Sequence, residues 1–221
     1  MNDNKQKVNY QLITDSVITS LVGRPRLLLH SCCGPCSSYV LEYLTQYFDV
    51  TVFYYNPNIR PEDEYQRRLE TQSELIDRAF PNVKLVVPQY DVKEFESLTA
   101  GMEGLPEGGD RCTVCFQLRI GATAKYAKEN GYEWFCTTLS VSPHKDAERL
   151  NRIGEEMAEE YKLKWLPSDF KKREGYKRSI ELSEEYGLYR QDYCGCKPRE
   201  PFKTGVITLH TLEKERTKSH K

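Results

Sequence analysis

The chain has 221 residues, 38% hydrophobic and 29% charged, with a net charge of −1. That balance supports a full core and argues against a low-complexity or disordered chain. No apolar run reaches the roughly 18 residues of a membrane span, and the polar start MNDNKQKVNYQL has no signal-peptide core, so a cytoplasmic protein is expected.

Residues 1–25 read as an N-terminal extension with no assigned element. RLLLHS (26–31) is a buried strand, a short apolar run closed by turn residues. PCSSYVLEYLTQYF (35–48) is a helix opened by Pro35, with Val40, Leu41, Leu44 and Phe48 at helical spacing. VTVFYYN (50–56) is a second strand, rich in β-branched and aromatic residues. PEDEYQRRLETQSELIDRAF (61–80) is a helix with acids in its first turn. VKLVV (83–87) is a third strand, and VKEFESLTAG (92–101) a short helix ended by glycine. A glycine-rich loop leads to a helix over 112–131, then to a strand EWFCTTLS (133–140). A helix over 145–161, a strand over 162–167 and a helix over 174–188 follow, and GVITLH (205–210) is a candidate last strand.

Strands alternating with helices predict an α/β fold: a parallel sheet with helices on both faces, Rossmann-like. One domain over 26–205 and a tail over 206–221 are expected. In such sheets the ligand crevice lies beyond the carboxyl ends of the strands. HSCCGPCS, NPNIRPEDEY and TTLSVSPHKD all fall there.

The eight cysteines are clustered at 32, 33 and 36; 112 and 115; 136; and 194 and 196. In a reducing compartment such clusters serve metal or redox chemistry rather than a disulfide framework. Cys36 falls in a first helical turn, and Cys112 and Cys115 share one face at the start of another helix. Zinc, an iron–sulfur cluster and a metal-free thiol site all fit these residue types. A vicinal pair is a poor chelate for one small ion, whereas a cluster presents several irons to it. In YCGCK, a bridge between Cys194 and Cys196 closes a small strained ring of the labile, catalytic kind, and Lys197 favours thiolate. Cys136, inside an apolar strand, reads as a buried small side chain.

His30 reads as a supporting or packing residue, and Tyr65 and Arg68 as helix packing and surface. Arg111 is placed to offset charge or hold a phosphate, and His144 stands at a strand end. Charge is divided unevenly: 17 Lys+Arg against 24 Asp+Glu over 1–160, and 15 against 9 over 161–221. A basic C-terminal third, including Lys171, Lys172 and Arg173, suits a polyanion. Aromatics at loops (Tyr54, Tyr55, Tyr65, Tyr189, Tyr193) suit base stacking. No G-x-G-x-x-G or other nicotinamide or flavin fingerprint occurs.

HSCCGPCS, NPNIRPEDEYQRR, EGGDRCTVCFQLRI, TTLSVSPHKD and YRQDYCGC, in that order over 26–197, resemble the QueH epoxyqueuosine reductases. The resemblance implies reduction of epoxyqueuosine, a cyclopentane epoxide on a modified wobble guanosine of tRNA, to queuosine, with tRNA as partner. It implies a 4Fe–4S cluster on Cys32, Cys33, Cys112 and Cys115 and a redox-active Cys194–Cys196 pair. An acidic residue can stand at the position of Cys36 in the family, which makes Cys36 a candidate further ligand, to the cluster or to an additional iron. The implied fold is similar to nucleotide-binding PP-loop domains. Nothing carries over beyond Cys196, and the electron donor is expected to be external. The alternative from another class is a zinc-stabilised tRNA-binding domain without turnover.

Overall fold

The structure is a computed structural model and describes residues 8–196. The strand expected at 205–210, Lys197 and the 206–221 tail lie outside the described residues. The elements are α1 (Tyr10–Thr19), β1 (Arg26–His30), α2 (Gly34–Leu44), β2 (Asp49–Phe53), α3 (Glu62–Ala79), β3 (Lys84–Val86) and α4 (Lys93–Leu98). After these come α5 (Asp110–Glu129), β4 (Trp134–Thr137), a 3-10 turn (Thr138–Val141), α6 (Ala147–Tyr161), β5 (Lys164–Trp165) and α7 (Gly175–Glu185).

The five strands are parallel, in the order β3-β2-β1-β4-β5. Successive side chains of a strand point to opposite faces, yet Leu27, Leu28 and Leu29 are all fully buried. Both faces of the sheet are therefore covered, as parallel sheets require. Helix α2 packs on α3 and α7, and α5 packs on α6. This is the Rossmann-like α/β architecture that the alternation of elements predicts.

Two elements differ from the sequence reading. The strand expected over 133–140 stops at Thr137, and the next residues coil into the 3-10 turn. Thr137 Oγ1 accepts the Leu139 amide at 3.2 Å, so a side chain takes the N–H that a strand would give to its neighbour. Within the stretch read as an extension, α1 is a helix capped by Asn9. Its Thr14 hydroxyl lies 2.6 Å from the Pro167 carbonyl, and Gln11 donates to Tyr43 Oη at 3.3 Å. Tertiary contacts thus hold a β-branched-rich segment, YQLITDSVIT, in helical form.

The strand order reverses direction between β1 and β4, the kind of place where ligands bind in open α/β sheets. The cysteine-rich turn follows β1 directly at that place.

A candidate metal and thiol site at the switch point

Cys33 is the N-cap of α2 in extended conformation, and Pro35 sits in the first turn. Gly34 is required by close approach: a Cβ there would lie 2.9 Å from the Thr71 carbonyl oxygen. The turn so formed gathers the sulfurs of Cys32, Cys33 and Cys36, all within 4.8 Å of one another. Cys33 is held well below the usual thiol range by hydrogen bonds from Cys32 and Cys36, with Gln191 adding another. Cys32 is correspondingly pushed up to about 12 by the bond to Cys33, and Cys36 is raised by Cys32 and Cys33. The Thr138 hydroxyl accepts the Cys32 amide at 3.2 Å, tying β1 to the end of β4.

Below this turn a polar network fixes the backbone. Ser31 and Ser37 hydroxyls both donate to Gln72 Oε1, at 2.6 and 2.7 Å. Asn56 Nδ2 donates to the Ser31 carbonyl at 2.9 Å.

Cys112 and Cys115 are buried in the opening turns of α5. They are not part of the compact group of three. Gly108 donates its amide to Cys112 Sγ at 3.2 Å. Arg119, one turn past Cys115 and only 4% exposed, donates to Cys115 Sγ at 3.8 Å, to Asn56 Oδ1 at 2.5 Å and to His30 Nε2 at 3.3 Å. His30 Nε2 also lies 3.2 Å from the Tyr55 carbonyl, and Nδ1 lies 2.7 Å from Thr137 Oγ1, so both ring nitrogens have polar partners. Burial and the Arg119 charge hold His30 well below its ordinary value, so the ring is neutral. His30 is thus the supporting residue that the sequence suggests.

Cys194 and Cys196 are unbonded, with their sulfurs 3.5 Å apart. The pair is seated by Gly195, whose missing Cβ would lie 3.0 Å from Ile59. The Arg60 amide donates to the Gly195 carbonyl at 2.9 Å, and Arg111 donates to the Cys196 carbonyl at 2.9 Å. Cys194 is held well below the thiol range by the bond from Cys196, against the cost of burial and with help from Lys145. Cys196 is raised by the same bond. Cys194 is therefore the more acidic of the two thiols.

Arg119 and Lys145 are absent from the sequence reading. Both carry electrostatic weight at this site. The half-buried Lys145 pairs with Glu107 at 2.5 Å, and Cys194 contributes to keeping it charged against desolvation. The signal for Arg119 was its spacing, four residues after Cys115 and seven after Cys112, on one helix face. Arg68 is not a surface residue: it is 4% exposed and ion-paired with Glu64 at 2.6 Å. Tyr54 and Tyr65 are buried around Ile59 and are not available for base stacking. Tyr189 and Tyr193 are half-buried under Arg67 and Arg68, with ring distances of 3.5 and 5.1 Å. Cys136 is a fully buried core residue.

The donor chemistry fits a thiophilic metal group. Three sulfurs gather at the β1–α2 turn, Cys32 there and Cys115 on α5 both lie within electrostatic reach of Arg119, N–H groups are directed at the α5 sulfurs, and the buried Arg119 has no carboxylate partner among the described residues. Fold and site define an α/β domain that presents clustered thiols and a close dithiol pair at its switch point. The chain matches the family described as "Epoxyqueuosine reductase QueH" over residues 27–199. It is 42% identical over 200 residues to "Epoxyqueuosine reductase QueH" of Staphylococcus epidermidis, covering 86% of this chain and 84% of that one. The protein of the same description from Streptococcus pyogenes serotype M1 is 44% identical over 203 residues, 89% of this chain and 79% of the other. That from Staphylococcus aureus is 42% identical over 204 residues, covering 86% and 83%. The chain belongs to the epoxyqueuosine reductase QueH family and is an oxidoreductase.

Proposed function

We propose that this chain reduces the epoxide of epoxyqueuosine in tRNA to the alkene of queuosine, the last step of tRNA queuosine biosynthesis. The observation that supports this most is the Cys194–Cys196 pair, with free thiols 3.5 Å apart and within electrostatic reach of Cys115. Converting an epoxide to an alkene and water consumes two electrons and two protons. Oxidation of the dithiol to a disulfide releases that number. Cys194 is the more acidic thiol of the pair and Cys196 the less acidic one, so Cys196 gives one of the two protons and the proton that Cys194 loses on ionisation supplies the other through solvent. Each turnover leaves the pair oxidised, so an external reductant must restore it.

Cys32, Cys33, Cys112 and Cys115 would hold a 4Fe–4S cluster, and Cys36, within the same compact group, would hold that cluster or an additional iron. Such a cluster, when bound, supplies single electrons and a Lewis-acidic iron. The chain's own residues orient it: Gly108 and Arg119 hold the two α5 sulfurs, and Thr138 holds the Cys32 backbone. The catalytic unit is residues 26–205. No helix among the described residues is long and apolar enough to cross a membrane, in keeping with work on tRNA in the cytoplasm.

The tRNA phosphates meet the basic segment after residue 160. Of its densest run, Lys171 is paired with Asp169 and Arg173 with Asp15, which leaves the exposed Lys172 for a phosphate. Tyr189 and Tyr193 flank the redox pair as base-stacking candidates.

One observation favours a second metal reading: three sulfurs within 4.8 Å also suit a single zinc ion. A zinc domain without turnover does not suit a member of a reductase family. The deciding experiment is iron, zinc and acid-labile sulfide analysis of anaerobically prepared protein, with single-turnover reduction of tRNA carrying epoxyqueuosine. Stoichiometric zinc without sulfide sinks the cluster assignment, and failure to convert the tRNA sinks the activity.

A further inference from the structure

Two arginines are buried at this site without an acid. Arg111 and Arg119 are each 4% exposed, and neither forms an ion pair among the described residues. The other cations here do have acids: the buried Arg68 has Glu64, and the half-buried Lys145 has Glu107. Arg119 meets only neutral side chains and the sulfur of Cys115. Arg111 donates to the Cys196 carbonyl at 2.9 Å, faces the Phe95 ring at 5.4 Å, and leaves its buried Nε without a partner.

A guanidinium does not escape burial by losing its proton. A buried charge with no counter-ion carries a heavy desolvation cost, so an anion must sit in the same chamber. The available atoms are sulfurs. Arg119 lies within electrostatic reach of Cys115, Cys32 and Cys194, and Arg111 within reach of Cys196. A thiol serves only as its thiolate, the form favoured at Cys33 and Cys194 and the form that binds metal. Four thiolates around an oxidised 4Fe–4S core form a dianion, which two guanidinium groups balance.

We propose that Arg111 and Arg119 are the counter-charge of the metal centre and raise its reduction potential. The inference rests on the iron–sulfur reading above. Adding an electron to a buried anionic centre is opposed by the low local dielectric, and a fixed cation a few ångströms away offsets that opposition. Arg119 is also a positioning residue, since it links Cys115 to Asn56, on the loop after β2, and to His30, the last residue of β1.

The test is a dye-mediated, EPR-monitored redox titration of anaerobically reconstituted holoprotein. Arg119→Gln should lower the midpoint potential, and Arg119→Lys should leave it near that of the unaltered protein. Asn56→Asp places a carboxylate against the retained guanidinium and should lower the potential as well. This variant carries the test if Arg119→Gln fails to fold. Because Asn56 also donates to the Ser31 carbonyl, thermal melting checks that its fold survives. An unchanged potential in Arg119→Gln and Asn56→Asp, or equal shifts in the Gln and Lys variants, overturns the counter-charge role while the cluster reading stands. A protein that binds no sulfide and shows no reducible centre removes the iron–sulfur reading, and this inference with it.

Discussion

Among single residues, the proposed function divides the cysteines into metal ligands and an electron-exchanging pair, and substitution tests that division. Cys194→Ser and Cys196→Ser should retain bound iron and lose turnover, as read by iron analysis beside single-turnover assay. Iron loss in either variant would move that residue into the ligand set. Cys112→Ala or Cys115→Ala should lose the metal. Of Cys194 and Cys196, Cys194 is the more acidic thiol, so iodoacetamide at neutral pH should label it faster than Cys196. Lys145→Met should slow that labelling. Equal rates at both cysteines in the apoprotein, mapped by mass spectrometry, would contradict the assignment. His30 gives a pH test. Its native value is far below the ordinary 6.5, so below that pH the unfolded chain takes a proton that the folded one refuses. Its contribution is complete above about 6.5 and lost as pH falls, by up to about 1.4 kcal/mol per pH unit. Denaturant titrations at several pH values should show a shallower acid loss in His30→Gln.

At the scale of elements, glycines mark where two segments touch. Gly154 of α6 lies against β5, and a Cβ there would sit 2.2 Å from the Trp165 ring. Gly154→Ala should cost about 1–3 kcal/mol by overpacking, measured by denaturant unfolding. Much of this layer was legible in the chain. The run Leu27–Leu29 announced a buried strand, and the helix read over 61–80 forms over Glu62–Ala79. Other parts depend on information that local sequence does not carry. TTLSV is β-branched and looks like strand, but one threonine side chain turns it into a 3-10 turn. Helix α1 has no strong helical pattern and is held by Tyr43 and Pro167, partners remote in sequence. The cysteines of the site were visible because clustered thiols are rare. Arg119 and Lys145 were not, because common cations acquire meaning only when folding buries them beside sulfur.

For the molecule as a whole, the sheet brings four segments distant in the chain to one edge, and the last of them is attached most lightly. The Cys194–Cys196 turn follows α7 and carries no strand or helix of its own. Its backbone is pinned by the Arg60 amide to the Gly195 carbonyl, and by Arg60 and Arg111 to the Cys196 carbonyl. Such a segment can open locally while the sheet stays closed. The Arg60 amide proton is then a built-in reporter of docking. Closing the dithiol into a disulfide must reshape the turn around Gly195, so hydrogen–deuterium exchange at Arg60 should differ between reduced and oxidised protein. The amide of Leu28, deep in the sheet, should exchange equally slowly in both. Identical protection at Arg60 in the two states would mean that the turn holds one shape throughout the redox cycle, and that access to the spent pair comes from elsewhere.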